Sequence, residues 1–161
     1  MRSFFRRRSG FTLTEMIVAA SIMAILAAVA MPLAKMAVKR EKEIELRRNL
    51  RMFRDAIDAY KKLADEKKIT VEEGTDGYPK TLDVLVQGVK VTESSEGDKG
   101  GEKTIRFLRR IPRDPMTDSY DWGLLSSEDP PGSTTWGESN VYDVYTKSRG
   151  TAIDGTKYKD W

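Results

Sequence analysis

Residues 6–32 read RRRSGFTLTEMIVAASIMAILAAVAMP: three arginines, then a long apolar run with a single glutamate, Glu15, inside it. From Met16 to Ala34 there are 19 consecutive residues without charge, interrupted in character only by Ser21 and Pro32. At ~1.5 Å rise per residue, a helix from Phe11 to Ala34 reaches roughly 36 Å and can cross the ~30 Å hydrocarbon layer of a bilayer. An ordinary cleaved signal fits the arginines, and Ala28, Val29 and Ala30 offer a small-x-small cleavage site ahead of Met31. A plain single-pass anchor fits the length. Neither accounts for Glu15, because a carboxylate in a membrane helix costs about 2.5–3.5 kcal/mol on insertion scales. No cationic side chain follows before Lys35.

The rest of the composition narrows the classes. The chain has 161 residues, room for one modest domain and an anchor. Four of its 28 basic residues lie in the first ten positions, so residues 11–161 carry 24 basic against 25 acidic side chains. A body that is nearly neutral is not built for nucleic acid, and the early arginines read as a cytoplasmic topology signal. Without cysteine there are no disulfides or thiolate metal sites. Without histidine the usual general base, the Ser-His-Asp triad and imidazole-bound zinc are excluded. The segment EGDKGGEK (96–103) lacks P-loop spacing and reads, with residues 92–102, as a solvated loop. The composition favours no catalytic site.

The segment SGFTLTE resembles the prepilin-type leader of type IV pilins and type II secretion pseudopilins: glycine, aromatic residue, Thr-Leu-x-Glu and the apolar run occur in order. The resemblance implies cleavage after Gly10 by the prepilin peptidase and N-methylation of Phe11. It also implies a role for Glu15 in assembly. Cleavage creates a cationic amine four residues from Glu15. A unit-charge pair at ~4 Å is worth about 4 kcal/mol at an effective dielectric of 20, enough to offset the carboxylate's insertion cost. The resemblance implies that this amine belongs to a neighbouring subunit. Protonation of Glu15, or its placement at headgroup level, would also relieve the charge. Pro32 is expected to kink the helix or open a turn.

After Ala34 the chain becomes charged. Leu46, Leu50, Phe53, Ile57, Tyr60 and Ala64 form one apolar stripe, and Glu43/Arg47 and Asp58/Lys62 stand at i,i+4 on the polar faces. One helix is therefore expected from Phe11 to about Lys67, docked on its own domain; a short coiled coil would use the same stripe. Beyond it, a turn at GTDGYP, a short helical segment at 78–88, and strands at 120–125 and 141–146 point to a small sheet of two to four antiparallel strands. The expected fold class is α+β and type IV pilin-like: a long N-terminal helix, hydrophobic then amphipathic, packed on a small antiparallel sheet with long loops. Its parts are a leader (1–10), a hydrophobic helix (11–34), its amphipathic continuation (35–68) and a small periplasmic domain (69–161).

The body resembles the G-type pseudopilins in particular. Tyr78-Pro79 precedes a short helix, FLRRIPRDPMTDSYDW carries Pro-x-Asp-Pro, and YDVYT, Asp154-Gly155 and Trp161 close the chain in order. That resemblance implies an inner-membrane, single-pass precursor that assembles into a periplasmic filament. The implied partners are other copies of itself, the assembly platform with its ATPase, and minor pseudopilins. A surface-fibre pilin, or an anchored or secreted binding domain, are the alternatives. G-type pseudopilins also bind calcium in the C-terminal loop. Here that implies Asp143 and Asp154 as ligands, with Thr146 and Ser148 as weaker ones. Against it, Lys147 and Arg149 lie in the same loop, and Asp143 pairing with an arginine while Asp154 starts a turn is the alternative.

Overall fold

The computed structural model describes residues 10–91 and 103–161, so the leader arginines and the expected loop at 92–102 lie outside the described residues. Two compact units divide the chain, residues 1–39 and 40–161. In the first, helix α1 (Leu13–Asp65) begins, and its apolar side chains are exposed around its circumference. This part of α1 is long and apolar enough to cross a membrane. The Ser21 hydroxyl donates to the Ile17 carbonyl at 2.8 Å, so the polar group inside the apolar run is satisfied within its own helix. Helix α1 continues through Pro32, which has no N–H for the Ala28 carbonyl.

The second unit is built on the later turns of α1. Leu46, Leu50, Phe53, Ile57 and Tyr60 are buried along one stripe, as their spacing predicts, and Ala64 packs against the same core. Glu43 and Asn49 are also buried. Its i,i+4 spacing to Arg47 predicts Glu43 on the polar face; the stripe 43-46-50-53 places it on the core side, and the two do not pair. The turn at 74–79 uses positive φ at Gly74, Asp76 and Gly77. It leads into helix α2 (Leu82–Gln87), which buries Leu85.

The strands fall into two small sheets rather than one. β1 (Val89–Val91) pairs antiparallel with β2 (Lys103–Ile105), and β3 (Gly123–Leu125) with β4 (Asp143–Tyr145). The first pair has no signal in the sequence, because both strands border the polar, glycine-rich segment 92–102. The second occupies the expected segments. Gly123 faces Tyr145 across the register, and a Cβ there would lie 2.2 Å from the tyrosine ring, which explains a glycine inside a strand. The core closes with Phe53 edge-on to Trp122 at 5.1 Å, and the Trp122 indole N–H donates to the Pro112 carbonyl at 2.9 Å. Buried Asn140 donates to the Thr75 carbonyl and the Ser127 hydroxyl and accepts the Ser127 N–H at 3.0 Å, tying three loops together. No buried side-chain polar atom among the described residues lacks a partner.

Candidate functional site

Two regions carry the residues singled out by sequence. At the N-terminus, Gly10 is exposed with open space around it, and Phe11 is 86% exposed. Glu15 is not without local partners. Its carboxylate accepts the Thr12 N–H and the Thr12 hydroxyl, both at 2.9 Å, while the Thr12 Oγ1 accepts the Glu15 N–H at 3.2 Å. This is a capping box, Thr-x-x-Glu, at the start of α1. The Thr-x-x-Glu spacing that marks it is visible in the sequence at 12–15. Hydrogen bonds, both to Oε2, orient the carboxylate. They leave its charge in place, so the demand for a cation stands.

The second region is the C-terminal segment. Its sequence-nominated oxygens do not converge. Both Asp143 oxygens face the Arg54 guanidinium, with Nε to Oδ1 at 2.9 Å and Nη2 to Oδ2 at 3.2 Å, and Oδ1 also accepts the Val144 N–H. Asp154 accepts from Arg47 at 3.2 Å and from the N–H and hydroxyl of Thr156, capping its own turn. The Thr156 bonds, then Arg47, hold the Asp154 carboxyl below its ordinary range. The Thr146 hydroxyl is buried and donates to Asp114 at 2.5 Å, while Ser148 Oγ accepts the Gly150 N–H at 3.3 Å. Among the described residues no three acidic side chains stand close enough to share an ion. As a calcium cage this donor set does not fit.

Two further carboxylates are buried, which their sequence context does not foretell. Asp114 is fully buried, and Glu43 accepts the Ile153 N–H at 2.9 Å and the Tyr158 hydroxyl at 2.8 Å. Burial, then the Glu43 contact, pushes the Tyr158 phenol up to about 12. Because the folded state favours neutral Tyr158, the stabilisation is complete below about pH 10 and is lost as pH climbs toward 12. Tyr158→Phe should therefore flatten the alkaline fall in melting temperature over that window while lowering stability at neutral pH. Denaturation scans of both proteins at matched pH check this; a wild-type curve parallel to the variant's would sink it.

Comparison with known proteins bears on the first region. Over residues 5–31 the chain matches the prokaryotic N-terminal methylation motif. No match was found among curated proteins or among solved structures. From Leu13 onward the matched residues lie on α1, whose apolar part has the dimensions of a single-pass anchor, and together these support the prepilin class. More particularly, motif and α+β fold together support a type IV pilin-like subunit, a prepilin peptidase substrate whose mature form polymerises.

Proposed function

We propose that this chain is a subunit of a type II secretion pseudopilus. The peptidase cuts between Gly10 and Phe11, Phe11 is N-methylated, and the mature helix leaves the inner membrane to pack in a periplasmic filament. Growth of the filament, driven by an assembly platform and its ATPase and joined by minor pseudopilins, pushes cargo outward. The subunit itself does no chemistry. One observation carries this reading: the methylation motif runs into the first turns of a helix whose large apolar side chains from Leu13 to Val38 are exposed. Bilayer and filament core are the two environments that would cover such a surface. The G-type assignment draws its support from Tyr78-Pro79, the Pro-x-Asp-Pro turn and the YDVYT strand.

Mass analysis of the mature N-terminus tests the processing. The expected terminus is N-methyl-Phe11; Met31 would indicate an ordinary signal and Met1 a plain anchor, and either would end the proposal. Deleting the gene should strand secreted proteins in the periplasm. Surface fibres at native expression, with secretion intact, would instead make it a pilin.

A further inference from the structure

We propose that Arg47 and Arg54 are built-in cations that lock the C-terminal segment onto α1, so that this domain holds its fold without a divalent metal. The inference stands on side-chain geometry in the second unit and is independent of the secretion reading.

Each arginine makes the cross-links that a bound ion would make. Arg54 grips Asp143 of β4 with two parallel N–H donors, and its Nη2 also donates to the Trp161 backbone oxygen at 2.6 Å. Arg47 binds Asp154 in the 151–157 hairpin, and its guanidinium lies 3.9 Å from the Trp161 ring centroid. The two arginines are seven residues apart, about two turns along one face of α1. Strand, hairpin and Trp161 are thereby fastened to the same helix.

The same arrangement works against a metal. Calcium draws six to eight oxygens into one shell, and a planar guanidinium satisfies a carboxylate's two oxygens through fixed, directed donors instead. Lys147, Arg149, Lys157 and Lys159 line an adjoining cleft of about 540 Å³, and neither Arg149 nor Lys157 has a carboxylate partner among the described residues. Positive charge of that density lowers the affinity of the neighbourhood for a dication. The two clamps are not equal. The Arg47 and Asp154 side chains are 54% and 51% exposed, so that pair is screened and weak. Asp143 is 28% exposed and held in the fork geometry, so Arg54 is the stronger lock.

Thermal unfolding of the full chain in detergent micelles tests this. The wild-type melting temperature should move by less than ~1 °C with excess EDTA or with ~5 mM calcium, above the range of weak extracellular sites. Arg54→Ala should melt ~3–8 °C lower, and Arg54→Lys, which keeps the charge but not the fork, should fall between. A saturable rise with calcium, or a fall with EDTA, would overturn the proposal, as would an Arg54→Ala melt equal to wild type. If Arg54→Ala yields no folded protein, Arg54→Lys and the wild-type metal titrations still decide.

Discussion

Replacing Glu15 with alanine should cut filament yield at least ~10-fold while inserted, processed protein stays near its wild-type amount. A loss of ~1.4 kcal/mol per subunit contact suffices for that factor. The pairing at stake is larger, since a carboxylate and an amine ~4 Å apart attract by about 4 kcal/mol at an effective dielectric of 20. Insertion should be spared because alanine is easier to bury than glutamate, and processing because the proposed cleavage lies at Gly10–Phe11, away from the substituted side chain. Immunoblots of membranes and of sheared filaments measure both quantities from one culture.

The capping box makes this a sharper experiment than a single alanine. Glu15 does two things: it caps α1 through Thr12, and it carries a charge. Glu15→Gln keeps an acceptor for the Thr12 N–H and removes only the charge. Thr12→Val removes the hydroxyl and leaves the charge. If charge pairing drives assembly, Glu15→Gln should be as defective as Glu15→Ala, and Thr12→Val should assemble within ~3-fold of wild type, a change of less than 1 kcal/mol. The opposite ranking would show that the glutamate serves its own helix, and the intersubunit pairing would have to be abandoned.

Which features could be read from sequence follows from the range of the interactions. The buried stripe of α1 was legible because 3.6-residue periodicity is local, and Leu46 through Tyr60 obey it. Glu43 obeys it too, but its chemistry argued for solvent; only Tyr158 and the Ile153 amide, more than a hundred positions away, make its burial tolerable. The same holds for Arg54, whose partner Asp143 is 89 residues distant. An arginine in a charged helix carries no mark of the carboxylate it will meet. Strands β3 and β4 are as short as β1 and β2, but they lie within the longer apolar and aromatic runs 120–125 and 141–146, whereas β1 and β2 border the polar, glycine-rich segment 92–102 whose composition reads as loop. At the N-terminus the relevant spacing is short, so Gly10, Phe11 and Glu15 stood out, and the Thr12 cap could have been read beside them.

Asp114→Ala should destabilise the second unit by about 3–5 kcal/mol, the scale reached when one partner in a buried polar network is removed. Asp114 is fully buried, and its carboxylate accepts the Met116 N–H at 2.8 Å, the Thr117 hydroxyl at 3.0 Å and the Thr146 hydroxyl at 2.5 Å. Its backbone bonds Ser119 and Asp118, each at 2.8 Å, and closes the turn that follows the Pro-x-Asp-Pro sequence. The side chain thus joins that turn to Thr146, just beyond β4. Alanine would strand the hydroxyl of Thr146, a residue with no exposed surface, at about 1–3 kcal/mol, and would remove the bonds from the half-buried Met116 N–H and the exposed Thr117 hydroxyl to a charged acceptor. Asp114→Asn keeps one acceptor oxygen, and the two hydroxyls can rotate to accept from its amide, so its loss should be about 1–2 kcal/mol. Chemical denaturation of the full chain measures both. Pairing Asp114→Ala with Thr146→Val should show at least ~1 kcal/mol of coupling. An alanine variant within ~1 kcal/mol of wild type would mean the turn finds other acceptors, because the buried Thr146 hydroxyl left unpaired cannot be that cheap.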